Sequence, residues 1–515
     1  MNIKNVLIAS SLANLLFIRS WLTSFDRSSN YFNSQMMPPQ YYVALLVCVA
    51  VTASIFYLCG LIIIRVGKPL LIDLSKWFIL FFFLIVINGL RIQLAGRLFW
   101  LDFTWLFNSV GQRVVLLVTA LMLLAAGGLC YRFSEQCKKT SITLALILSP
   151  FMIFTLPVAA IRAVIPETMA NFNLKPAAPP INISPPKGPR VLWLIFDELG
   201  MRESFSQRPK EISLLAFDRL RSESIFLTDA HSPSKSTLLS FPAYITGRLV
   251  DSALPRDEGE LLLKFRGNEE YLPWSQQKNI FQDVEDKGFN TALLGGMLHP
   301  YGRVIGHTVT YTEVKLPSKQ SNGSNQTFTQ FCIHHFYNVA STLPKKMLFI
   351  RIVEKLTPRQ SAEIRRTVVE GIPKTTENII KFSTDSSYGL VFVHLPVPHY
   401  PWIFNVSQNE FIWDTPGDGY AGNLVAADRV LGDVRKRLEK AGVWNDLHVV
   451  ITSDHWYRDQ ISDTRVPVII KLAGEVNPQV FNEEYNTVRL TNLIRKITGV
   501  HCTTQEVLKE LKSGL

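Results

Sequence analysis

The chain has 515 residues, too many for one domain, and its 47% hydrophobic and 18% charged content gives a mean hydropathy of +0.15, high for a water-soluble protein. A formal net charge of +11 would suit nucleic acid or an anionic membrane surface. No basic stripe interleaved with aromatics and no nucleic-acid motif is present, which excludes a nucleic-acid partner and keeps the membrane. The six cysteines show no CxxC or zinc-finger spacing. Cys48, Cys59, Cys130 and Cys137 lie in or beside apolar runs, leaving Cys332 and Cys502 as one bridge or two free thiols.

The excess hydrophobicity sits in the first 165 residues. About 20 apolar residues cross a bilayer, and runs of that kind fall at 4–22, 41–64, 71–90, 113–131 and 141–163. Arg19 interrupts the far end of the first, where it can snorkel to the interface; a cleaved signal peptide is the alternative for this run, without a clean cleavage site. The aromatic segment 97–107 is too short to span and suits the interface. Loops 65–76 and 132–139 are short and basic (Arg65, Lys68, Lys76; Arg132, Lys138, Lys139), and Lys4 precedes the first run. The positive-inside rule puts them in the cytoplasm, against the weaker opposing signal of Arg91 and Arg97. Five spans then leave everything after 165 outside. The division expected is a transmembrane domain over 1–165, a Pro-rich linker over 166–189 carrying KPAAPPINISPPKGP, and a catalytic domain over 190–515.

Beyond the linker, strand-like runs at 190–196, 290–295, 388–394, 447–452 and 466–472 alternate with helix-like stretches near 235–245, 357–381, 421–441, 486–497 and 503–512. The last is opened by Thr503 and Thr504 with Glu506 in its first turn. This alternation predicts a doubly wound α/β domain, helices covering both faces of the sheet. Residues 317–327 read as a polar loop, and no internal repeat is found.

Two of the predicted strands end abruptly in ionisable residues, Asp197-Glu198 after VLWLIF and Asp454-His455 after HVVITS. Each alone could be a strand-end cap. Ligands of open α/β sheets bind beyond the carboxyl ends of the strands, and two carboxylates with an imidazole there suit a divalent metal. A nucleophile is offered by AHSPSKSTLLSFPAYITGR at 230–248, a hydroxyl-rich loop entering a helix whose N-terminus favours an anion. Ser232, Ser234, Ser236 and Thr237 compete for the role, with ordinary N-capping as the structural alternative for any one.

An Asp ending the first strand, a hydroxyl loop leading to "TG", a late His-rich strand end and "SDH" resemble the alkaline phosphatase/sulfatase superfamily over residues 190 to about 475. In that superfamily's sulfatases and nucleotide phosphodiesterases the nucleophile stands nine positions before the Thr of "TG", which implies Thr237 here, with Ser236 and Ser234 behind it. The formylglycine motif C/S-x-P-S-R is replaced by His231-Ser232-Pro233-Ser234-Lys235, so a Thr nucleophile and phosphorus chemistry are expected. Several spans followed by an outward domain are similar to the phosphoethanolamine transferases and lipoteichoic acid synthases. That resemblance implies one divalent ion, Zn²⁺ or Mn²⁺ before Ca²⁺ or Mg²⁺, on Asp197, Thr237, Asp454 and His455, with Glu198 adding a ligand or holding Lys235. It implies substrate contacts from His394 and His399 in HLPVPHYPW; GGMLHPYGR at 295–303 offers His299 and Arg303 as further candidates for substrate contact, and the hydroxyl loop offers Lys235. Its partners would be a membrane lipid donor and an envelope glycan or lipid acceptor, at a bacterial inner membrane with the catalytic domain on the periplasmic side. Three departures stand out: Trp456 replaces the glycine of "SDHG", no histidine follows before Arg465, and cysteines are few. His334-His335 beside Cys332 fits no metal spacing. A hydrolase of phosphate or sulfate esters and an inactive binding protein remain the alternatives to a transferase.

Overall fold

The computed structural model describes residues 3–25, 38–95, 128, 132–164, 177–181, 188–257, 259–295, 301–313, 327–340, 342, 358–458 and 463–513. They fall into two compact units, Met1–Asn30 with Gln35–Ala170 and Ser318–Pro358, and Tyr31–Ser34 with Asn171–Pro317 and Arg359–Leu515.

The first unit is helical. Pro39–Val66 and Pro69–Arg91 are each long and apolar enough to cross a membrane, and two bent pairs, Ile3–Leu16 with Ile18–Phe25 (60°) and Glu135–Ile147 with Phe151–Val164 (40°), raise the number to four if each is one span. The run expected to span 4–22 is therefore broken at Phe17. The run at 113–131 and the aromatic segment 97–107 lie outside the described residues, apart from Gly128. Buried polar groups close the helix contacts: Ser11 donates to Ala145 O (2.7 Å) and Thr155 to Asn14 Oδ1 (3.1 Å). Helix Phe328–Ala340, read from sequence as part of the catalytic domain, packs in this unit through Phe331 against Tyr41 and Tyr42. Its His335 is buried, with Nδ1 3.1 Å from Ser20 Oγ and Nε2 3.1 Å from Tyr41 O, so both ring nitrogens are occupied by structural hydrogen bonds. Cys332 and Cys502 are free thiols, the second of the two alternatives that their sequence positions left.

The second unit is built on an eight-stranded sheet. Its strands are β1 Arg190–Asp197, β2 Ile225–Leu227, β3 Asn290–Leu294, β4 Tyr311–Thr312, β5 Tyr388–Pro398, β6 Leu447–Ser453, β7 Val468–Lys471 and β8 Gln479–Phe481. Their spatial order is β8-β2-β7-β6-β1-β5-β3-β4. Strand β7 runs antiparallel to both neighbours, β6 and β2; the other pairings are parallel. All five predicted strands are present. The short strands β2, β4 and β8 escaped the sequence reading because two or three residues carry no periodicity, as did the three-stranded antiparallel sheet at 250–257, 260–265 and 271–273.

Strand β1 is buried throughout because both faces are covered. Val191, Trp193 and Ile195 enter a core with helices Thr237–Thr246, Ile280–Glu285 and Leu490–Ile497. Leu192, Leu194 and Phe196 enter the opposite core with helices Leu215–Arg221, Pro358–Thr384 and Gly419–Lys440. The parallel β1/β6 register runs from Arg190↔Leu447 to Phe196↔Ser453. The next residue on each strand is therefore Asp197 and Asp454, side by side at the carboxyl edge. On the other flank β5 pairs Ile195 with His394, and a register shift after Phe196 sets Asp197 opposite Pro398.

At the opposite end of β6, His448 is fully buried. Its Nε2 lies 3.1 Å from Val500 O, and its Nδ1 accepts from Ala473 N at 3.1 Å, which fixes a neutral ring. Burial, reinforced by Lys471 and His501, lowers its pKa to about 4 against the opposing bond to Val500. The unfolded chain, with an imidazole near 6.5, takes up a proton that the fold refuses as pH falls from about 6.5 to 4, so stability drops in that window by up to ~3 kcal/mol. Thermal unfolding of the detergent-solubilised chain at pH 7 and pH 4.5 is expected to show a smaller acid loss in His448→Gln than in the parent protein.

Candidate active site

Thr237 is the first residue of helix Thr237–Thr246, and Ser236 is its N-cap, accepting from Leu238 N at 3.3 Å. Capping thus occupies Ser236, and Ser232 donates to Ser234 O at 2.9 Å. Thr237 is the hydroxyl among these whose bonds reach the strand ends. It donates to Asp454 Oδ2 at 2.6 Å and lies 3.3 Å from His455 Nε2. The helix ends at Gly247, whose φ of 73° and N–H bond to Ala243 O form a left-handed C-cap; a Cβ there would lie 2.9 Å from Arg495 Nη1. This is the physical content of the "TG" signal. Tyr244 of the same helix donates to Ser453 O at 2.7 Å and ties the helix to the end of β6.

Asp197, Asp454 and His455 are buried, and one ligand atom from each lies within 4.8 Å of the others. His455 Nδ1 is 3.0 Å from Trp456 O; a proton shared there leaves the Nε2 lone pair directed at Thr237 and at Asp197 Oδ1, 3.6 Å away. Asp454 Oδ1 accepts from Glu198 N (3.0 Å) and His455 N (2.9 Å). Burial, and after it the neighbouring Asp197 carboxylate, pushes the Asp454 pKa up. Two buried carboxylates, an imidazole lone pair and a hydroxyl form an oxygen- and nitrogen-donor set that fits a divalent cation, whose charge would offset the repulsion between the carboxylates.

Glu198 lies outside this cluster. It has a φ of 67°, and it and Asn409 are the non-glycine residues with positive φ among those described. Its N–H is spent on Asp454, and its carbonyl accepts from Tyr420 at 2.7 Å. The side chain turns to Arg458, whose N and Nε both donate to Oε1, at 3.2 and 3.0 Å. The expected Glu198–Lys235 pair is thereby replaced; Lys235 is exposed. His399 Nε2 lies 3.8 Å from Glu198 Oε2 and 2.7 Å from Arg458 Nη2, and its backbone N–H donates to Asp197 O. Burial lowers the His399 pKa, but the Asp197 and Glu198 carboxylates outweigh it and raise the net value. His394 is buried with Nε2 3.7 Å from Asp197 Oδ2, its ring 4.3 Å from Phe241. Arg303 is buried in helix Tyr301–Ile305, whose Tyr301 hydroxyl donates to Thr237 O at 3.3 Å. His299 lies outside the described residues.

A protein-family model for the sulfatases matches residues 189–500. The chain belongs to the sulfatase family. Solved structures similar to this sulfatase-family chain include an alkaline phosphatase superfamily protein from Vibrio parahaemolyticus, 14% identical over 65% of this chain and 71% of that one, TM-score 0.39. The phosphonate monoester hydrolase of Agrobacterium radiobacter is 12% identical over 64% and 78%, TM-score 0.38. A Bacteroides thetaiotaomicron sulfatase from a glycosaminoglycan-metabolising locus is 10% identical over 62% and 79%, TM-score 0.42. No curated protein matches the chain.

Several supporting residues of this site were invisible to motif reading. Asn423 Nδ2 donates to Pro398 O, His399 O and Pro401 O at 3.3, 2.8 and 2.9 Å, while its Oδ1 accepts from Ile403 N at 2.9 Å. Tyr420, three residues earlier on the same helix, binds both Glu198 O and Gly200 N. Their spacing on one helix face was readable, but nothing local revealed the loops they hold. Asn423→Ala is expected to destabilise the fold by about 2–3 kcal/mol, since it strands several buried backbone groups, and to lower activity through His399; a chemical unfolding curve together with a turnover assay checks both. The cluster makes a second prediction. The chain purified with zinc should hold one ion, and Asp197→Asn or Asp454→Asn should weaken it by at least about a hundredfold in competition with a chelator.

Proposed function

We propose that this sulfatase-family chain is a membrane-anchored, metal-dependent transferase that moves a phospho-substituent from a lipid donor to an envelope glycan or lipid through Thr237. The observation that carries this reading is the Thr237 hydroxyl, 2.6 Å from Asp454 Oδ2 and 3.3 Å from His455 Nε2, at the first turn of a helix. Counted nine positions back from the Thr of "TG", the place where a sulfatase carries the Cys or Ser that matures to formylglycine falls on Thr237, which is neither. A hydroxyl nucleophile favours phosphorus over the hydrated-aldehyde chemistry of sulfatases.

Asp197, Asp454 and His455 would hold the divalent ion, whose positive charge lowers the pKa of a neighbouring hydroxyl. The protein's own part is then positional. Thr237 yields its proton to Asp454 Oδ2 and attacks phosphorus, forming the Oγ–P bond as the bond to the lipid alkoxide breaks. The helix N-terminus faces the charge on the phosphoryl oxygens, and His394 and His399 flank the same edge of the sheet. The departing lipid alkoxide takes the Thr237 proton from Asp454; an acceptor hydroxyl then attacks the phospho-threonine, and its proton passes by way of Asp454 to Thr237 Oγ as the Oγ–P bond breaks. The apolar helices of the first unit support an anchor, which concentrates the domain at a lipid surface; the periplasmic side of an inner membrane is the location that the basic loops favour.

Incubating the full chain with headgroup-labelled phospholipid and zinc should place label on the 233–248 peptide, detectable by mass spectrometry. Thr237→Ala should carry none, whereas Thr237→Ser should keep a fraction. Release of free phosphate or sulfate from a generic ester, with no label passing from lipid to acceptor, would establish a hydrolase and refute the transfer.

A further inference from the structure

The residue that occupies Glu198 is not the one the family motif offers. Arg458 stands three positions beyond His455, and its guanidinium lies between Glu198 Oε1 and His399 Nε2, at 3.0 and 2.7 Å. Both partners are bonded to the cluster itself, Glu198 through its N–H to Asp454 and His399 through its N–H to Asp197 O. Arg458 therefore sits at the rim of the Thr237 site. Glu198 is almost enclosed, with 7% of its side chain exposed, while Arg458 is 46% exposed. A guanidinium has five N–H donors in a planar fork matched to a tetrahedral oxyanion. The two side-chain bonds just described use two of them.

We infer that Arg458 is the oxyanion-recognition residue of this site, binding the phosphoryl oxygens of the substrate, and that Glu198 holds it in place and competes with the substrate for it. The inference rests on the reading of Thr237 as the nucleophile of a phosphoryl group. An arriving phosphate shares or takes the guanidinium, while His399 keeps its contact with Nη2. Glu198 thus weakens anion binding at the same time as it positions the arginine. A static ion pair behaves differently: breaking it from either side has the same consequence. Here the two sides have opposite consequences for anion affinity.

Calorimetric titration of inorganic phosphate into the full detergent-solubilised chain, loaded with zinc, tests this. Arg458→Gln should weaken phosphate binding about tenfold or more, and Arg458→Lys, which keeps the charge but loses the fork, should recover part of the loss. Glu198→Gln should bind phosphate a few-fold more tightly than the parent. Unchanged affinity in Arg458→Gln, weakened affinity in Glu198→Gln, or no phosphate binding by the parent protein would each overturn the assignment. Loss of the label-transfer reaction with the Arg458 and Glu198 effects intact would instead sink the transferase reading and leave the anion site standing. Titrating short-chain phosphatidylethanolamine in parallel separates the sources of the anion: tighter binding than phosphate marks a lipid headgroup, weaker binding a free phosphate ester, and the Arg458→Gln loss is expected for both.

Discussion

The parallel register between β1 and β6 is the constraint on which the site depends. Because Phe196 pairs with Ser453, the two strands leave the sheet together, and Asp197 and Asp454 emerge as neighbours in a buried setting. Two carboxylates so placed repel each other in a low dielectric. The fold meets part of that demand with backbone donors: Glu198 and His455 both give their N–H to Asp454 Oδ1. Ser453 adds a brace, accepting from Leu199 N and holding its single O–H between Phe196 O and His455 O, 2.8 and 2.6 Å away. The geometry is thus fixed by the chain itself, and what remains unmet is charge. That combination favours a cation over a rearrangement, and it explains why a hydroxyl held against the same carboxylate is poised to lose its proton.

The parts of this arrangement that the sequence made legible share one property: each is local. Asp197 and Asp454-His455 were readable because a β-branched run buried on both faces ends abruptly, whereas Thr237 was singled out from the neighbouring hydroxyls by the nine-position spacing to "TG" that the superfamily resemblance supplied. Strand β1 with its eight buried residues could hardly be anything else. Arg458, Asn423 and Tyr420 were not legible, since their roles depend on loops brought close by the fold. The Glu198–Lys235 pair failed for the same reason: sequence neighbours of a motif were matched to each other, whereas Arg458 comes from the far side of β6. Residues 328–340 fell to the catalytic domain by its bounds alone, with no helix read there. The contacts of helix Phe328–Ala340 with Tyr41 and Tyr42 come from residues almost 300 positions earlier.

Trp456 looked like the residue most able to spoil the site, because the family keeps glycine there. The backbone resolves the conflict elsewhere. Trp456 has no left-handed conformation to satisfy, and its carbonyl serves to set the His455 tautomer. The left-handed turn falls instead at Glu198, a residue for which it stores about 1–3 kcal/mol. Such strain persists only where the surroundings over-determine it, and Glu198 is held at its N–H, its carbonyl and its carboxylate by Asp454, Tyr420 and Arg458. Tyr457 stacks on Tyr420 at 3.7 Å and joins the same assembly from the other strand end. The turn that sends the Glu198 N–H into the metal-type cluster is the turn that sends its side chain out of it. A longer acidic residue at this position therefore cannot serve as one more ligand; it becomes the link between the buried carboxylates and the arginine at the rim.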